Sequence, residues 1–322
     1  MKNRTCLAGF ASIALIALAA TATQAQTRTI RTIVPFGPGG VPDVVARAIG
    51  DYIGRTHKVT TVVENRPGAG SIIATDAVKR MAGDPDALLM TASSFLINPH
   101  LRKVNYNPLT DFTPICHLVS QEALIAVSGE SPYKTLDDLI KAARAEPGKL
   151  SAGAPGPGSS HHLVFEGLKQ RAKIDMTYIP YPGTGQAVSG TLGGHVTAVL
   201  SAYSSLAPQL KSGQLRALAI ASLSGERMAA LPDVPTLQEA GFSGLGLESW
   251  FGVVAPAKLP KAAADELIAW HKEALADKTI AAKLTALQLN PKPICGNDYA
   301  KFLQDTGNTF GEIIRGAKLN VQ

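Results

Sequence analysis

Short apolar runs alternate along this chain with stretches that are apolar on one helical face only. Residues 30–34, Ile-Arg-Thr-Ile-Val, read as a strand. Val45, Ala48, Ile49, Tyr52 and Ile53 then share one face of a helix over residues 42–54. Further strands are predicted at 60–64, 87–91, 123–127, 149–152, 176–180, 217–221 and 250–254. A helix carrying Ile72, Ile73, Val78 and Met81 follows the second strand, and another spans 161–170. Thr135 is placed as the N-cap of a helix whose first turn holds Asp137 and Asp138. Residues 92–94 read as a loop, and Pro99, Pro108 and Pro114 as marks of an irregular stretch. From Ala262 the pattern is helical, in two or three pieces. Strands alternating with amphipathic helices indicate an α/β protein with mostly parallel sheets.

The amino terminus does not fit this pattern. Lys2 and Arg4 precede an apolar run from Leu7 to Ala20, and Thr23 and Ala25 suit the −3 and −1 positions of a signal-peptidase site. Residues 1–25 are therefore expected to be a signal peptide cut after Ala25, too short and wrongly flanked for a retained span. Removing 25 of 322 residues leaves 297, enough for two lobes. The net charge of +6 falls to +4 without Lys2 and Arg4. No dense basic block with interleaved aromatics occurs, which speaks against nucleic acid. Cys6 leaves with the signal. Cys116 and Cys295 remain, and an exported chain meets an oxidising compartment. A bridge and two separate buried thiols both stay open, because sequence gives no distance.

Two strand–loop–helix units stand out. Pro35-Phe-Gly-Pro-Gly-Gly-Val-Pro-Asp43 joins the first strand to its helix, and Gly153-Ala-Pro-Gly-Pro-Gly-Ser-Ser160 opens the helix at 161. Glycines allow close backbone approach and prolines stiffen the loop. Such a loop at a helix N-terminus suits an anion. From the first segment alone, a plain turn with Asp43 pairing the helix dipole is the favoured reading. Two such loops facing each other would hold a small ligand at both ends.

Catalytic motifs are wanting. There is no Gly-x-Ser-x-Gly elbow and no His-Glu-x-x-His, and residues 68–70 lack the third glycine of a dinucleotide loop. Ser159 and Ser160 precede His161 and His162, but neighbours on a helix start do not give a nucleophile its base. Those histidines read as a capping neighbour and as a ligand-contacting or exposed ring. No catalytic residue, metal or cofactor is assigned.

At this point the residues resemble a family. Residues 35–43 with Ala46-Arg47, Glu64-Asn-Arg-Pro-Gly-Ala-Gly70, Asp111-Phe-Thr-Pro-Ile115 and Ser131-Pro-Tyr-Lys-Thr-Leu-Asp-Asp-Leu139 match in order the motifs of the tripartite tricarboxylate transporter substrate-binding proteins, the Bug family. Pro147-Gly-Lys-Leu-Ser151, Tyr181-Pro-Gly183, residues 213–219, Arg227, Leu231-Pro-Asp-Val-Pro-Thr-Leu237, Glu239-Ala-Gly241 and Trp250-Phe-Gly252 continue the match over nearly the whole mature chain. Val41-Pro42 stands where the family usually has Ser or Thr before the Asp, which removes a hydroxyl donor. Pro85-Asp86-Ala87 and Thr197 also depart from the family pattern, leaving fold and class intact.

The resemblance implies a two-lobed periplasmic binding protein fold of type II-like form, with a mostly parallel sheet flanked by helices in each lobe and a ligand cleft between them. Lobe one is expected over 27–121 and 247–322, lobe two over 122–246, with hinge crossings near 121–124 and 245–249. The implied function is an extracytoplasmic, periplasmic receptor for a small carboxylate, delivering it transiently to transporter membrane subunits, as a monomer and not an enzyme. A periplasmic sensor feeding a signalling system, and more remotely an exported hydrolase, are the alternatives. The implied site takes Phe36, Gly39, Gly40 and Val41 for N–H groups and a wall, with Asp43 fixing the loop. Ser93, Ser94 and Asn98 lie at the third strand's exit, unless the serines form only a solvated turn. Across the cleft come Gly153, Ala154, Gly156, Ser159 and His162, flanked by Tyr181, Gly183 and Thr184; packing under the loop is the other reading of Tyr181.

Overall fold

The computed structural model describes residues 28–156 and 159–319. The expected signal segment, residues 1–25, and Gly158 of the second loop lie outside them. The described chain builds two sheets. Strands β1 (Thr29–Val34), β2 (Thr60–Asn65), β3 (Ala87–Ala92), β4 (Phe112–Gln121), β10 (Ser249–Pro256) and β11 (Asn290–Cys295) form the first, in the order β11-β4-β10-β3-β1-β2. Strands β5 (Ala123–Ser128), β6 (Ser151–Pro155), β7 (Thr177–Tyr181), β8 (Ala198–Ala202) and β9 (Leu215–Ala221) form the second, in the order β7-β6-β8-β5-β9.

The sheets are mixed, which corrects the expectation of mostly parallel ones. β1 pairs with β2 and β3, and β6 with β7 and β8, in parallel; β10–β3, β10–β4, β11–β4, β5–β8 and β5–β9 are antiparallel. The sequence pattern finds β5, β9 and β10 without their antiparallel direction, and it misses β4, β8 and β11. β4 and β11 were hidden by prolines. Pro114 sits where the β4–β10 register shifts, and β11 is an edge strand with a shift between Pro291 and Ile294. Bulges and edges are where a strand tolerates proline. β11 also interrupts the tail that the sequence reads as mostly helical, in two or three pieces. Cys116 and Cys295 face each other in the β4–β11 register and are joined by a disulfide.

Ten α-helices connect the strands among the described residues. α1 (Val41–His57) buries Val45, Ala48, Ile49 and Ile53 and ends at Lys58 in the left-handed region. α2 (Ile72–Lys79) precedes β3, and α3 (Ser93–Leu101) follows it. α3 corrects the expected loop at 92–94 and contains Pro99. Pro99 has no N–H for the Phe95 carbonyl four residues back, and Tyr106 Oη donates to that carbonyl instead, at 3.1 Å. α4 (Leu136–Ala145) starts at Thr135 with a capping box closed by Asp138. α5 (Ser160–Ala172), α6 (Thr184–Leu192) and α7 (Tyr203–Lys211) serve the second sheet, and α8 (Lys261–Ala276) and α9 (Lys278–Ala286) the first. α10 (Asn297–Gly316) packs on both α3 and α5. Gln170 Nε2 donates to the Ile313 carbonyl at 2.9 Å. Tyr299, Leu303, Phe310, Ile313 and Ile314 of α10 belong to an apolar cluster that continues through Ile33 and Leu89 of one sheet and Ile125 and Leu200 of the other. No described helix is long and apolar enough to cross a membrane.

Candidate functional site

Each sheet contains one place where its strand order reverses. After β1 the chain passes through α1 to β2 on one side, then through α2 to β3 on the other. α1 and α2 pack into different apolar clusters, as helices on opposite faces must. The second sheet repeats the arrangement with β6, α5, β7, α6 and β8. Crevices therefore open at the carboxyl ends of β1/β3 and of β6/β8, where open α/β sheets bind ligands.

The first loop, residues 35–40, is held by one carboxylate. Asp43 in the first turn of α1 accepts from the Gly39 N–H at 2.9 Å and from Asn65 Nδ2 at 2.9 Å, and pairs with Arg47 at 2.9 Å. The Arg47 hydrogen bonds, opposed by burial and helped by Gly39 and Asn65, hold its pKa down at about 2. Asn65 also donates to the Phe36 carbonyl at 3.0 Å. Asp43 thus fixes the loop, as the sequence reading had it. Gly39 corrects that reading: its φ of +80° suits glycine, but its N–H is already given to Asp43. Gly40 is the N-cap position and Val41 the first helical residue.

Ser93, Ser94 and Asn98 lie on α3, where Ser93 and Asn98 are buried, so they are not a solvated turn. They meet a strap that sequence reasoning left unassigned. Residues 69–71 all have left-handed φ, +47° at Ala69, +62° at Gly70 and +83° at Ser71. Asn98 Nδ2 donates to the Gly70 carbonyl at 2.7 Å, and the Ser71 and Ser94 hydroxyls lie 2.9 Å apart. Ser71 also packs beside Pro35, Thr91 and Ala92 at the ends of β1 and β3.

The second loop begins later than its glycines suggest. Gly153 and Ala154 are ladder residues of β6 and Ala154 is fully buried, which corrects their placement in a cradle. A Cβ on Gly153 would stand 2.8 Å from the Tyr181 ring, and one on Gly190 2.3 Å from its Oη. Tyr181 therefore packs beneath the loop. Its carbonyl accepts from the Gly156 N–H at 3.1 Å, while Tyr178 Oη donates to the Gly156 carbonyl at 2.9 Å. Ser159 caps α5 by accepting from the His162 N–H at 3.2 Å. Neither histidine is exposed, contrary to one sequence reading. His162 stacks on Tyr178 with centroids 3.9 Å apart, and burial, with Lys169 nearby, lowers its pKa to about 4. Burial alone does the same to His161. Gly183 is the N-cap of α6, and Thr184 Oγ1 lies 2.7 Å from Ser201 Oγ at the end of β8.

Both loops reach the start of β10. The Phe36 ring meets Phe251 edge-on at 6.4 Å, and Ser160 Oγ lies 3.2 Å from Ser249 Oγ. Trp250 between them points the other way, against His117, Tyr299 and Phe302. A cavity of about 180 Å³ on that far side is lined by His117, Glu248, Trp250 and Phe302 and by no residue of either loop. Ser71, Ser160, Ser201 and Ser249 were not among the ligand-facing residues expected from sequence. Serine is common; Ser160 ends the second loop, and only strand order brings the other three to the loops.

A model for the tripartite tricarboxylate transporter family receptor matches residues 45–319. The chain belongs to this receptor family. BugT of Bordetella pertussis is 32% identical over 292 residues, 89% of each chain. MatC from Rhodopseudomonas palustris, solved with bound malate, is 28% identical with a TM-score of 0.71, over 90% of this chain and 99% of that one. An R. palustris protein solved with adipate is 26% identical with a TM-score of 0.76, over 92% and 99%. The family resemblance carried by the motifs is thereby borne out. In this receptor the helices α1, α3, α5 and α6 all begin at the carboxyl ends of parallel strands, so their positive ends lie at the crevices.

Proposed function

We propose that this receptor binds a small carboxylate between the two loops and delivers it, unchanged, to the membrane subunits of a tripartite transporter. One observation carries the reading: a Pro/Gly loop free of Lys and Arg comes from each sheet to Phe251 and Ser249 on one face of β10. Helix N-termini, hydroxyls and backbone N–H groups supply the donors that an anion needs there. The malate and adipate of the two neighbours are carboxylates of suitable class. The ligand-facing residues are drawn from Phe36, Gly40, Val41, Ser93, Ser94, Ser159 and Thr184. Residues 27–121 with 247–322 and residues 122–246 form the lobes, and the crossings at Glu122 and at 245–249 act as the hinge. The receptor works in the periplasm, as a monomer, after loss of residues 1–25.

A thermal-shift series with malate, adipate and a neutral sugar tests this. Ligand at about 100 times Kd adds about 2.7 kcal/mol, or about 4–6 °C for a chain of this size. A rise with an acid and none with the sugar is expected, and the acid should be recovered intact from the denatured complex. A sugar-only shift, or chemical conversion of the acid, refutes the proposal.

A further inference from the structure

We propose that Ser71 is a positioning residue for the ligand: it holds the Ser94 hydroxyl so that Ser94 donates to a carboxylate in the β1/β3 crevice. The inference rests on the carboxylate reading above. It starts from a backbone outlier. Ser71 has φ +83° and ψ −6°, a conformation that glycine adopts freely and serine does not. Such a conformation persists only where its surroundings over-determine it. They do so here. The Ser71 N–H donates to the Gly68 carbonyl at 3.0 Å, the Ser71 carbonyl accepts from Thr75 Oγ1 at 2.9 Å, and Asn98 holds the Gly70 carbonyl at 2.7 Å.

What this conformation achieves is a buried hydroxyl aimed at Ser94. Ser71 is 4% exposed, and its Oγ lies 2.9 Å from Ser94 Oγ. Ser94 is only partly buried and sits in the first turn of α3, where the helix dipole already favours an anion. One hydroxyl pair shares one hydrogen. With Ser71 as donor, the Ser94 oxygen is satisfied and its own proton is free for an acceptor in the crevice. The chain from Ser71 through Ser94 to a carboxylate then strengthens along its length. Glycine at position 71 would relieve the backbone and delete this chain, so stability and affinity should move apart.

The test uses the full mature protein and measures Tm and Kd for malate and adipate by calorimetry. Ser71→Gly is expected to leave Tm unchanged or raised and to weaken affinity about 5- to 20-fold. Ser94→Ala should weaken it at least as much, and the double variant should match Ser94→Ala within twofold, because both act on one chain of bonds. A purely structural Ser71 would leave Kd untouched in a Ser71→Gly variant of normal Tm. Wild-type affinity in that variant, or additive losses in the double variant, overturns the assignment alone. Failure of the wild type to bind either acid overturns the carboxylate reading and the assignment with it.

Discussion

Asp43→Asn removes one charge from the lock that shapes the first loop. The native carboxylate serves Gly39, Asn65 and Arg47 at once. An amide oxygen can serve Gly39 or Asn65 but not both, and Arg47 then faces a neutral group. A carboxyl moved from 3.8 to about 2 favours its charged form by about 2.4 kcal/mol at 1.36 kcal/mol per tenfold in acidity. Arg47 is 49% exposed, so solvent screening reduces this to about 1–2 kcal/mol. The expected loss is about 2–4 °C in Tm at pH 7. The sign with pH follows from a pKa lower in the folded state than in the unfolded chain. The native advantage is complete well above pH 3.8, shrinks as pH falls below it, and is gone near pH 2. Urea unfolding of both proteins at pH 7, 5 and 3.5 measures it. Calorimetry with malate or adipate should also show affinity weakened about 3- to 10-fold, because the loop is no longer fixed. Equal urea midpoints at pH 7, or a deficit that grows on acidification, would refute the reasoning.

Two further outcomes are expected. Under denaturing conditions the mature protein should take up no alkylating reagent before reduction and two equivalents after it; reduction should also lower stability, by up to about 5 kcal/mol for the 179-residue separation between Cys116 and Cys295. His117, His161, His162 and His271 are buried and held neutral, each with a pKa lowered to about 4, chiefly by desolvation. The unfolded chain therefore takes up protons first as pH falls below about 6.5. Stability should drop between pH 7 and 4, by up to about 3 kcal/mol for a fully buried ring. A urea midpoint that does not fall between pH 7 and pH 5 contradicts this.

The sequence by itself determined the elements whose cause is local. The β1–α1–β2 and β6–α5–β7 units, the stiff loop before Asp43, the Thr135 cap and the family motifs all follow from residues near one another in the chain. Periodicity and capping need no distant partner. It missed β8, and it could not reveal β4 and β11, because proline tolerance depends on a bulge or an edge, and both are properties of the neighbouring strand. It misassigned Gly153 for a similar reason. That glycine looks like loop chemistry, yet the Tyr181 ring occupies the space beside it. The disulfide stayed open until the β4–β11 register placed Cys116 opposite Cys295. Only the tertiary structure decides which hydroxyls lie beside one another near the loops. Ser71, Ser201 and Ser249 come from three separate segments, and they are brought to Ser94, Thr184 and Ser160 by strand order and by the helices crossing on opposite faces of each sheet. Contacts of that kind depend on packing between elements far apart in the chain, and no local pattern records them.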